Sequence, residues 1–128
     1  MKKHTLILGP SLKKNIYHAE KLIQGHSKSQ RNFCPITQTE ITSELFSACN
    51  ENTKTVIIYN LLSPSQIESS YPFTRNIPFY KKENPITSYI EPVLIIISTN
   101  ISPSDIPSDA SFTERFNVMN LYNINLNT

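Results

Sequence analysis

The apolar run from Val93 to Ile97 (VLIII) constrains the fold of this chain more than any other stretch. A strand with one wet face alternates apolar and polar residues. A run without alternation is buried on both faces, as in a parallel sheet covered by helices. The run ends in Ser98, Thr99 and Asn100, so it would deliver polar groups to the carboxyl edge of its sheet, the edge where open α/β sheets bind ligands. A loop rich in Pro, Ser and Asp follows, and Arg115 and Phe116 then open a second apolar segment.

Two earlier segments share this character. HTLILG (His4–Gly9) is a short apolar run ended by Gly-Pro, and TVIIYNL (Thr55–Leu61) is β-branched at its centre. Between them, Leu12, Ile16, Ala19, Leu22 and Ile23 recur at helical spacing, which predicts a helix over Leu12–Gln24 with Gly25 as its cap. Phe33–Ile36 reads as a short strand that Pro35 confines to an edge or bulge. Ile41, Leu45, Phe46, Ala48 and Cys49 predict a second helix over Thr39–Cys49, capped by Thr37 or Thr39. Ser63-Pro64 opens a short helix reaching about Ser69. Tyr71–Ile90, with Pro72, Pro78 and Pro85, reads as loop or a small hairpin. Ser102–Ala110 reads as loop or a broken helical turn, and Phe116–Tyr122 as a last strand at a sheet edge. Strands alternating with helices predict an α/β fold: a three-layer sandwich with a mainly parallel sheet of about five strands. The expected organisation is one domain over residues 1–122 and a frayed Asn-rich tail over 123–128.

Charge excludes more than it suggests. The net charge is +2, and the basic residues (Lys2, Lys3, Lys13, Lys14, Lys21, then Lys28 to Arg31) are not interleaved with aromatics as a nucleic-acid stripe requires. Charged residues make up only 17% of the chain, so the polar surface must come from Ser, Thr and Asn. Cys34 and Cys49 have no CxxC or histidine pattern around them and read as buried, reduced thiols. Leu6–Leu8 is too short for a signal-peptide core, and no segment approaches the roughly 18 apolar residues of a membrane span. The expected compartment is the cytoplasm, without membrane association.

Three strand ends carry the chemistry to be weighed. LILGPSLKKN places Gly9 and Pro10 where a phosphate-binding loop would start, with Lys14 as its lysine. Such a loop (GxxxxGK[ST]) needs a second glycine and a hydroxyl for Mg²⁺. With the loop one residue shorter than that pattern, Lys13 and Asn15 stand in those places, and the chain's other glycine is Gly25. This is either a degenerate loop or an ordinary strand–helix turn. At the second end, where Mg²⁺-dependent hydrolysis needs an Asp, the residues are Tyr59 and Asn60. At the third, Asn100 is placed to orient water or a γ-phosphate, or simply forms the turn before Ser102-Pro103. His4, His18 and His26 read as core or surface residues, though a Cys34–His26 pair stays open. Asp105, Asp109 and Glu114 read as a solvated acidic loop.

Together HTLILGPSLKKN, TKTVIIYNL, PVLIIISTN and SFTERFNVMNL resemble the P-loop ATPases of the AAA+ and superfamily-three (viral replication) helicase type. The resemblance implies a sensor role for Asn100, an inter-subunit arginine at Arg115, and a nucleotide near Gly9, Lys13, Lys14 and Asn15. The departures at Lys13, Asn15, Tyr59 and Asn60 argue for a catalytically impaired domain that serves as a structural or interaction module. No metal site and no cofactor are expected on this reading. The alternatives are an atypical ATP–Mg²⁺ binder and a small DNA-associated module. A protein partner or a homo-oligomer is the expected company.

Overall fold

The computed structural model describes residues 4–81 and 84–122, with side chains outside 80–87. Five strands, β1 (His4–Leu8), β2 (Arg31–Pro35), β3 (Thr55–Tyr59), β6 (Val93–Ser98) and β7 (Phe116–Asn120), form one sheet in the order β2-β3-β6-β1-β7. Every neighbouring pair is parallel. A separate antiparallel hairpin joins β4 (Ile77–Lys81) to β5 (Asn84–Ile90). The helices are α1 (Leu12–Leu22), α2 (Ser65–Ser69) and α3 (Ala110–Thr113), and 3-10 turns lie at Lys28–Gln30, Ser43–Phe46, Tyr71–Thr74 and Pro103–Asp105.

β6 is the middle strand, and Leu94 to Ile97 are at most 1% exposed. Its alternate residues enter two cores. Ile95 and Ile97 join Ile7, Ala19, Ile23 and Ile57 beneath α1. Leu94 and Ile96 join Leu6, Val56, Phe46, Ile67 and Phe112 on the opposite face, beneath α2, α3 and the turns. Full burial of each such side chain contributes about 1.5–3 kcal/mol. The molecule is therefore a three-layer α/β sandwich, as the unalternated run requires.

α1 ends at Leu22, and Gly25 follows in the left-handed region (φ +98). Pro35 sits on an edge strand, and its missing N–H falls on the unpaired side. β3 stops at Tyr59 because Asn60 turns to φ +70, a conformation asparagine tolerates better than most residues. The hairpin lies within Tyr71–Ile90, and the final strand falls on the β7 edge. The expected helix over Thr39–Cys49 does not form, and only the turn Ser43–Phe46 is helical. Ile41 is instead held with its N–H on Ser69 Oγ (2.8 Å), and the Gln38 carbonyl is bound by Gln66 Nε2 (2.9 Å). Ile41, Phe46 and Cys49 still reach the core. The tail expected over 123–128 lies outside the described residues. Among the described residues no helix is long and apolar enough to cross a membrane.

Candidate functional site

β3, β6 and β1 are consecutive in the sheet, so the three strand ends singled out in the sequence lie side by side on one carboxyl edge. A shared site requires that adjacency. Its side chains, however, are turned on one another. The link from β1 to α1 is only Gly9, Pro10 and Ser11. Ser11 is the helix cap, and its Oγ accepts from Lys14 N (3.3 Å). Lys13 and Lys14 are exposed on the first turn of α1.

Asn15 points the other way, into the protein, with no exposed surface. Its Nδ2 donates to the carbonyls of Gly9 (3.0 Å) and Ser98 (3.5 Å). Its Oδ1 has no hydrogen-bond partner and lies 2.4 Å from where a Cβ on Gly9 would stand. Gly9 is thus glycine because Asn15 fills the space over its Cα. Gly9, Lys13, Lys14 and Asn15 are neighbours, but two of them form a buried joint and two face solvent.

Asn100 donates through Nδ2 to the Leu61 carbonyl (3.4 Å), and its backbone N–H donates to Ser98 Oγ (3.1 Å). Ser98 Oγ also accepts from Ile101 N (3.1 Å) and donates to Leu61 O (3.3 Å). The buried Ser98 is the hub that ties β6 to the segment after β3. The polar triplet drew attention to its position, but its partners became visible only in the fold. At the end of β3, Tyr59 and Asn60 offer no anion. Among the described residues no three His, Cys, Asp or Glu side chains converge as metal ligands.

Arg115 precedes β7 and so lies at the amino edge, across the sheet from Asn100. Its Nε donates to Thr74 Oγ1 (3.1 Å), one terminal nitrogen donates to Ser111 O (2.7 Å), and the guanidinium stacks on Tyr71 at 5.0 Å. Burial, and then Asp109 and Glu68, push the Tyr71 hydroxyl up from its ordinary range, while Arg115 opposes them. Beside this group, His4 bonds Thr74 O through Nε2 (2.8 Å) and accepts from Leu94 N at Nδ1 (2.9 Å). His26 bonds Thr55 Oγ1 through Nδ1 (2.5 Å) rather than a thiol. Cys34 and Cys49 are buried and free. Burial, with Cys49 adding, pushes the Cys34 thiol up to about 12, so it stays protonated and unreactive near neutrality.

No family model matches the chain, and a search of the curated proteins finds no match either.

Proposed function

We propose that this chain is a P-loop ATPase-like domain without hydrolytic chemistry, serving as a structural or interaction module. One observation carries the reading: the start of α1, where a triphosphate would lie, is occupied by the protein's own groups. Ser11 Oγ takes the Lys14 N–H, and Asn15 turns its amide inward to Gly9 and Ser98. A phosphate cradle wraps successive free backbone N–H groups around the anion, and a three-residue link containing proline has too few to give. The missing carboxylate after β3 supports the same reading, because Mg²⁺ favours anionic oxygen ligands. The adjacency of the three strand ends favours descent from a nucleotide-binding layout over an unrelated sheet.

Titration calorimetry with ATP and Mg²⁺ is the test. Wild type and Lys14→Ala should give the same negligible heat. Mg²⁺-dependent binding in wild type that Lys14→Ala abolishes would overturn the proposal.

A further inference from the structure

The helix α1 divides between the sheet and solvent. With about 100° of turn per residue, Asn15, Ala19 and Ile23 are buried against the sheet, and Leu12 and Ile16 pack beside them. The opposite face centres on Tyr17, which is 55% exposed. Lys13 flanks it on one side, Lys14 and Lys21 on the other, and all three are exposed. The helix's one carboxylate, Glu20, lies at the border of that face. Among the described residues none of the three lysines has an ion-pair partner. The Tyr17 ring stands edge-on to His18, centroids 5.6 Å apart, and the Lys21 ammonium is 4.6 Å from its centroid.

Charge is divided in the same way. Glu44, Glu68, Asp109 and Glu114 are exposed on the opposite layer, over the core beneath α2, α3 and the turns. The net charge of +2 thus conceals a basic α1 layer and carboxylates across the sheet, and it is the α1 layer that attracts an anionic partner. In the chain the basic residues do not alternate with aromatics, but the helix gathers three of them around one ring.

We propose that this face binds single-stranded nucleic acid, with Tyr17 stacked on a base and Lys13, Lys14 and Lys21 holding phosphates to either side. Lys14 and Lys21 are about 10 Å apart along the axis with Tyr17 between them, so a strand laid along α1 meets charge, ring and charge in turn. Cations beside an exposed aromatic bind single strands without regard to sequence. Lys21 gives up only a weak exposed contact with the ring to reach a phosphate. A duplex keeps its bases stacked inside, out of reach of a ring on a convex helix. A membrane would need an apolar helix face, and that of α1 is committed to the sheet. The surface gives the interaction reading a partner class but does not rest on it: ATP bound at the strand ends would remove that reading without engaging Tyr17.

Fluorescence anisotropy of a labelled oligothymidylate, titrated with the full chain, reads the outcome. Binding should weaken with salt along a log–log slope of about −2, from three phosphates at about −0.7 each. Lys14→Ala and Lys21→Ala should each flatten that slope by about 0.7. Tyr17→Ala should weaken binding roughly five- to a hundred-fold at unchanged slope, and Tyr17→Phe should restore most of it. An abasic strand of the same length should bind the wild type no better than oligothymidylate binds Tyr17→Ala. Absence of binding at low salt overturns the proposal. So does equal affinity for the abasic strand or for polyglutamate, an affinity indifferent to Tyr17→Ala, or attachment to phosphatidylserine vesicles without binding to the oligonucleotide.

Discussion

A methyl group on Gly9 would have to displace the Asn15 amide, whose Oδ1 lies 2.4 Å from the position that group would take, with Leu121 Cβ at 3.0 Å. Gly9→Ala should therefore destabilise the fold by about 1–3 kcal/mol, the usual cost of overpacking. The two residues share one space, so Gly9→Ala combined with Asn15→Ala should cost clearly less than the sum of the single changes. Urea unfolding of the four proteins measures the coupling, and strict additivity would rule out the joint. A glycine kept only for phosphate would show neither effect. Cys34 gives a second residue-scale test. Its folded-state thiol is raised from 9.0 to about 12, so the unfolded chain gives up that proton first as pH rises. The sign follows: the thiol leaves stability intact below pH 9 and lowers it progressively toward pH 12. Across that window the urea midpoint of wild type should fall more steeply than that of Cys34→Ala. Parallel slopes would show that this thiol is not held neutral.

At the scale of elements, the legible parts were those whose local pattern has one physical solution. The unalternated Val93–Ile97 run is buried on both faces, and Gly25 and Pro35 stand where their backbone restrictions place them. The segment Thr39–Cys49 has helical spacing without forming a helix, because helical spacing and tertiary burial ask for the same residues. Ile41, Phe46 and Cys49 are buried without a continuous helix, because a partner on α2 takes the Ile41 N–H. That partner is distant in sequence and leaves no periodic signal. The pin is testable. Ser69→Ala removes the acceptor for the Ile41 N–H and should cost about 1–3 kcal/mol, the range for a buried donor left unpaired. Hydrogen exchange at the Ile41 amide should speed up more than at Ile57 in the central sheet. Equal acceleration at both would mean that the segment is not held locally by Ser69.

For the molecule as a whole, a parallel sheet was readable but its strand order was not, because β1 meets β6 and β7 across more than eighty residues of chain. Nothing local records such pairings. The order decides what Arg115 does. Standing before a parallel strand, it belongs to the amino edge, where the 71–74 turn, α3, β1 and β7 meet. Thr74 links two side chains there: its carbonyl bonds His4 and its hydroxyl receives Arg115. An arginine reserved for a neighbouring subunit would leave its own fold indifferent to its removal. One engaged at Thr74, Ser111 and Tyr71 holds its own subunit together. Arg115→Ala should thus lower unfolding free energy by about 2 kcal/mol, allowing for hydrogen bonds from a charged donor and the stacking on Tyr71. Arg115→Lys should recover only part of the loss, since an ammonium cannot match the planar guanidinium's simultaneous reach to Thr74, Ser111 and the Tyr71 ring. Denaturant unfolding should follow a single transition in each variant, with the midpoint ordered wild type, lysine, alanine. Unfolding curves that superimpose for all three proteins would return the arginine to a role outside its own subunit.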